Sequence, residues 1–143
     1  MKKFFFILKL LTVSSSMVLA QETLQPAELK ENQTVENDVP YISVEQMPKF
    51  PGGDDAMFKY IGDNVVYPKS AQKAGISGIV YVYFIIDKNG NVTNAEVKRG
   101  VKGGEELNDE ALRVIKGMPK WEPGYQNAKP ASVQLTLPIK FML

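Results

Sequence analysis

Asp87, Asn89, Asn91 and Glu96 place oxygen-bearing side chains close together, as a calcium loop does. Such a loop wants glycine at its sixth position and a bidentate glutamate at its twelfth. Counted from Asp87, the glycine here stands fourth and the glutamate tenth, so a plain hairpin turn accounts better for the same residues. Gly100-Val101-Lys102-Gly103-Gly104 has the texture of a phosphate cradle ahead of a helix. The phosphate-binding pattern ends in Gly-Lys-Ser/Thr, whereas Glu105 and Glu106 follow here and would repel a phosphate. A glycosidase pair must flank a cleft from opposed walls. Glu105, Glu106, Asp109 and Glu110 instead crowd one helix start, where they complement the helix dipole. Lys98, Arg99, Lys102 and Lys120 form a small basic group, read as a solvated face or a contact for an anionic surface.

Absent residue types exclude more than these patterns offer. The 143-residue chain has no histidine and no cysteine. Disulfides, thiolate metal sites, a cysteine nucleophile and a Ser-His-Asp triad are therefore ruled out. The net charge of +1 gives no basic excess of the kind a nucleic-acid partner requires. No nucleophile, base and oxyanion site assemble, so the expectation is a binding protein, not an enzyme, with no cofactor and no metal.

The elements that would position a binding site fall in the second half. Met1-Lys2-Lys3, the apolar run Phe4–Val13 and the small residues up to Ala20 read as an export leader cleaved before Gln21. The rival reading is an uncleaved inner-membrane anchor, which Lys9 and three serines disfavour. Residues 21–46 read as an acidic, disordered tether: between Gln21 and Lys49 six acidic residues face two lysines, without hydrophobic period. Within it, Tyr41-Ile42-Ser43-Val44 alternates weakly and could pair as an extra edge strand.

Residues 47–143 read as the domain. Phe50-Pro51-Gly52-Gly53 is a turn, and Asp54 or Asp55 caps a helix through about Asn64. Pro68 opens a short helix as its first residue, and Gly75 stops it. Ile79–Ile86 is a strand with Val80, Val82, Phe84 and Ile86 on one face. Asn89-Gly90 turns the chain into a return strand over Val92–Arg99, whose odd apolar spacing between Val92 and Ala95 predicts a bulge. Glu105–Met118 has helical spacing, capped at Asn108 or Asp109. Trp121–Tyr125 is a loop returning a tryptophan to the core, and residues from Val133 to Leu143 alternate as a last strand. The order predicts an α+β, two-layer sandwich: a three-stranded antiparallel sheet with helices on one face. The opposite face, with Tyr81, Tyr83 and Ile85, should be open.

The last strand carries Pro138, and proline belongs on an edge strand. An edge strand is a liability unless it is covered or used, and its use is to bind an extended peptide by strand addition.

Tyr67-Pro68, Ala71, Gly75-Ile76, Gly78, Val80, Val82, Phe84, Asp87, Gly90, Val92, Leu107, Ala111-Leu112, Pro119, Trp121, Pro123-Gly124, Leu137-Pro138-Ile139 and Phe141 together resemble the C-terminal domain of TonB. The lead-in Met47–Gly53 resembles the version in Bacteroidetes-type energy transducers. The resemblance implies a periplasmic module that grips the TonB box, an extended peptide of a TonB-dependent outer-membrane transporter, during nutrient import. Carried over, the gripping strand is Ser132, Val133, Gln134, Leu135, Thr136, Leu137 and Ile139. Tyr67, Pro68, Gly75, Gly78, Trp121, Pro123 and Gly124 would be architectural, and Trp121–Gln126 would tune selectivity. A full transducer also couples through a membrane helix with a functional histidine to an ExbB–ExbD motor. This chain has no histidine, and its 26 residues from Gln21 to Gln46 reach at most about 90 Å. Coupling to ExbB–ExbD is then expected only if the leader stays uncleaved. The alternative is a homo-oligomeric periplasmic adaptor, a homodimer through the same sheet edge.

Overall fold

A computed structural model describes residues 39–143. The leader and the tether up to residue 38 lie outside the described residues. The described elements are helices α1 (Asp54–Asn64) and α2 (Lys69–Ala74), strands β1 (Gly78–Ile86) and β2 (Val92–Arg99), helix α3 (Glu105–Lys116), and strands β3 (Gly124–Gln126), β4 (Lys129–Ala131) and β5 (Val133–Phe141). The three long strands form one antiparallel sheet in the order β2-β1-β5, and β3 and β4 form a separate hairpin. The fold is the α+β arrangement predicted from the alternation and the helical spacing.

β1 is central because it is apolar enough to be covered. Val80, Val82, Phe84 and Ile86 are fully buried. Against them pack Met57 of α1, Ala71 of α2, and Leu107, Ala111 and Ile115 of α3, with Ile139 and Phe141 from β5. These three helices occupy one face, where their apolar stripes leave water. The opposite face is not uniformly open. Tyr81 and Tyr83 are half-buried, and Ile85 is 8% exposed. The Tyr83 hydroxyl donates to Gln134 Oε1 at 3.2 Å, tying β1 to β5 across that face.

Two predicted caps are corrected. α1 is preceded by Gly53, and no side chain caps it. Asp54 and Asp55 lie in its first turn, where their charge complements the dipole. α3 starts after Gly104, four residues before Asn108. Asn108 instead accepts a bond at Oδ1 from the Val101 N–H at 3.1 Å, pinning the loop that enters the helix. Pro68 precedes α2 instead of opening it, and Gly75 ends it in the left-handed conformation at φ 67°.

The β1–β2 hairpin turns on Asp87. Its Oδ1 accepts from the N–H groups of Asn89 and Asn91, each at 2.9 Å, so the carboxylate is committed to the turn. Asp87 N–H donates to the Asn91 carbonyl at 3.0 Å, which makes a three-residue loop with Gly90 at φ 86°. Among the described residues no cluster of three or more acidic side chains could hold a metal ion. The predicted bulge is present. Tyr83 pairs with Glu96 and Ile85 with Thr93, leaving two residues of β2 opposite Phe84, with Asn94 at φ 51°.

Candidate functional site: the free edge of β5

β5 meets β1 in a register without a break, from Gly78 opposite Phe141 to Ile86 opposite Val133. A continuous antiparallel register sends backbone groups alternately to either side of the strand. Gln134 shows which residues point outward: its N–H donates away from β1, to the Tyr41 carbonyl at 2.8 Å. Gln134, Thr136, Pro138 and Lys140 therefore present their backbone to the free side. Val133, Leu135, Leu137, Ile139 and Phe141 present theirs to β1. Pro138 falls on the outward set, so its missing N–H removes nothing from the β1–β5 ladder.

The side chains alternate in the other sense. Val133, Ile139 and Phe141 are buried on the helix-covered face, and Leu135 and Leu137 pack partly buried beside them. Gln134, Thr136, Pro138 and Lys140 share the opposite face with their partners Ile85, Tyr83, Tyr81 and Ile79. Of the residues predicted to grip a guest, Gln134 and Thr136 carry outward backbone. Val133, Leu135, Leu137 and Ile139 build the sheet and line the rim of its apolar face. Ser132, just before the strand, offers its carbonyl outward to Tyr41 N–H at 2.8 Å.

The lead-in residues 39–50, of which 39–46 read as tether by composition, pair with the domain. Tyr41 makes a parallel bridge to Val133, Gln46 an antiparallel one to Tyr125, and Lys49 an antiparallel one to Glu122. The Gln126 side chain also accepts from Glu45 N–H at 3.1 Å. Beyond Tyr41, no backbone group among the described residues bonds Thr136 or Lys140 on the outer side. The other sheet edge, β2, is blunted by two register irregularities and exposed Glu96, Lys98 and Arg99.

Of the residues predicted to be architectural, Tyr67 and Gly78 meet one end of this strand and Gly124 lies against the other. The Tyr67 hydroxyl donates to the Ile76 carbonyl, and its ring meets Phe141 edge-on at 5.7 Å. Pro68 enters α2 and Gly75 closes it. A side chain on Gly78 would strike Val101 at 2.7 Å, and one on Gly124 would strike Val133 at 2.7 Å. Trp121 stacks edge-on against Phe50 at 5.5 Å and Phe84 at 5.8 Å, and its backbone N–H donates to the Gly90 carbonyl at 2.8 Å. Pro123 lies half-buried in the strand-like segment between Glu122 and Tyr125. The Trp121–Gln126 loop continues into the β3–β4 hairpin, whose short strands show no alternation in the sequence.

A charged cluster braces the helices away from the edge. The Glu110 carboxylate accepts from Arg113 at 2.6 and 2.9 Å and from Val66 N–H at 2.9 Å. The Arg113 hydrogen bonds hold its carboxyl below the usual range, against the opposing effect of partial burial. Arg113 reaches on to the Asn64 carbonyl at 2.7 Å, joining α3 to the end of α1. The cluster lies on the helix layer, so its role is structural.

No helix among the described residues is long and apolar enough to cross a membrane. No curated protein sequence matches the chain. Two solution NMR structures of the Helicobacter pylori TonB C-terminal domain are similar to it. A shorter fragment is 31% identical, with 62% of this chain and 90% of that one covered, at a TM-score of 0.47. A longer fragment is 29% identical, with 65% and 86% covered, also at 0.47. Residues 63–143 match the family model of the Gram-negative bacterial TonB protein C-terminal domain, and the chain belongs to that family.

Proposed function

We propose that this TonB-type module recognises TonB-dependent outer-membrane transporters by adding an extended peptide of theirs to the outer edge of β5. The observation that supports this most directly is the outward backbone of Thr136, Pro138 and Lys140, without a backbone partner on that side among the described residues, on a strand that runs along β1 without bulges. An edge of this kind is a template for a further strand, whereas the bulged β2 edge resists one. A guest would find Thr136 N–H and C=O, the Pro138 carbonyl, and Lys140 N–H and C=O. Its side chains on one face would lie beside the half-buried rims of Leu135 and Leu137.

The test is a proline at Thr136. Thr136→Pro removes an outward N–H and leaves every β1-facing donor in place, as Pro138 already does two residues on. A titration of the protein with an N-terminal transporter peptide should weaken by about two- to tenfold, the range one neutral backbone hydrogen bond supplies. Unchanged affinity in a folded Thr136→Pro protein refutes strand addition at this edge. Leu137→Pro is unsuitable, because Leu137 faces β1 and the variant breaks the sheet itself.

We further propose periplasmic residence after leader cleavage before Gln21, with residues 21 onward as tether. In that state the module recognises transporters without anchoring to an ExbB–ExbD motor. N-terminal sequencing of the exported protein checks it: an intact Met1 would restore the anchored reading.

A further inference from the structure

We propose that the chain's own lead-in, Val39–Val44, is an autoinhibitory strap that occupies the first rung of the β5 edge and must be displaced before a guest strand can use the whole of it. The inference rests on the strand-addition reading and adds a competitor to it. Tyr41 donates to the Ser132 carbonyl and accepts from Gln134 N–H, both at 2.8 Å, in a parallel bridge. These are the bonds that a guest strand would make at the same place. The strap therefore imitates a guest for one rung and stops.

It stops because its next anchor lies elsewhere. Gln46 exchanges backbone bonds with Tyr125 at 3.1 and 2.8 Å, and Lys49 with Glu122 at 3.0 and 2.8 Å. The chain bends between Tyr41 and Gln46 and leaves Thr136 vacant. The hold at the edge is slight. Val39 is 70% exposed, Tyr41 48% and Ile42 77%, so little apolar surface is sealed there. Two neutral backbone bonds remain, and each shifts an equilibrium by about two- to tenfold.

The second anchor is firm by comparison. Phe50, just beyond it, is 5% exposed and packs against Tyr60 and Trp121. When Tyr41 lets go, the strap stays tethered within a few residues of its rung and re-forms as an intramolecular competitor at high effective concentration. A guest that pairs with Thr136 and Lys140 alone leaves the strap in place. One that also takes Gln134 N–H and the Ser132 carbonyl must open it.

The experiment compares the protein with its Tyr41→Pro and Tyr41→Ala variants. Proline cannot donate to Ser132, whereas alanine keeps both backbone bonds. Three readouts are used: exchange of the Gln134 amide by NMR, titration with a transporter N-terminal peptide, and titration with a synthetic peptide Val-Pro-Tyr-Ile-Ser-Val-Glu-Gln that copies residues 39–46. The proposal expects Gln134 to be protected in wild type and in Tyr41→Ala, and to exchange about two- to tenfold faster in Tyr41→Pro, which loses the bond to Ser132 and keeps the carbonyl that faces Gln134. It expects the transporter peptide to bind Tyr41→Pro about two- to tenfold more tightly. It expects the copied peptide to bind Tyr41→Pro about two- to tenfold more tightly than wild type, with shifts at Gln134. Equal Gln134 exchange in all three proteins overturns the strap, as does equal transporter affinity for a peptide whose binding shifts Gln134. If no transporter peptide binds any variant while the copied peptide binds Tyr41→Pro, the strap stands and the transporter reading falls.

Discussion

Single residues in this domain hold positions that their chemistry explains one at a time. Glu110 is the clearest titrating case. Hydrogen bonds from Arg113 and then Val66 keep its folded pKa below the ordinary value of 4.5. A depressed carboxyl contributes stability above its unfolded pKa and loses it as pH falls through the folded value. Wild type should therefore lose unfolding free energy below about pH 4.5, and Glu110→Gln should show a shallower acid limb in denaturant titrations at several pH values. Ala128 is a strained case. Asn127 and Ala128 turn the β3–β4 hairpin at φ 52° and 61°, a two-residue loop whose second position favours glycine. Ala128→Gly should relieve strain that exceeds glycine's added chain entropy. We expect a gain of about 0.5–1 kcal/mol, read as a raised denaturation midpoint.

At the scale of elements, the β1–β2 hairpin and the tryptophan loop depend on one close approach. Gly90 sits at φ 86°, and a Cβ there would fall 1.9 Å from the Trp121 carbonyl oxygen. Backbone meets backbone, so no rotamer change relieves the collision. Gly90→Ala should cost at least about 2 kcal/mol by equilibrium unfolding and should expose the Trp121 ring, seen as a red-shifted fluorescence maximum. The hairpin was legible from Asn89-Gly90 between apolar runs, and the bulge from the odd spacing of Val92 and Ala95. The caps were not legible, because aspartate and asparagine near a helix start act within the first turn as readily as before it. The β3–β4 hairpin was not legible. Its strands are three residues each, one contains Pro130, and so short a span shows no alternation.

At the scale of the molecule, the family-matched portion does not contain the whole core. Phe50 and Met57, 5% and 6% exposed, lie before residue 63 and pack into the same cluster as Trp121 and Phe84. A fragment of residues 63–143 should be less stable than residues 39–143 by several kcal/mol, since removing one buried Phe side chain alone costs about 3–5 kcal/mol. Thermal unfolding of the two fragments checks this; equal midpoints would show that the lead-in and α1 are dispensable. The same lead-in that completes the core also delivers Tyr41 to the β5 edge, so stability and access to the edge are set by one segment.

Local pattern by itself determined the order of the main elements, the buried face of β1 and the placement of Pro138 on an edge. Each depends on side-chain period or on a missing N–H, and both are written in the order of residues. Which backbone groups of β5 face outward was decided only by the tertiary structure, because that depends on the register against β1. Gln134 and Thr136 thereby carry the outward backbone, and Leu135 and Leu137 build the sheet and its rim. The bridge from Tyr41 to β5 was likewise beyond reach of composition. Two backbone bonds to residues some ninety positions away leave no mark in an acidic, aperiodic stretch, and only the folded chain brings them within 2.8 Å.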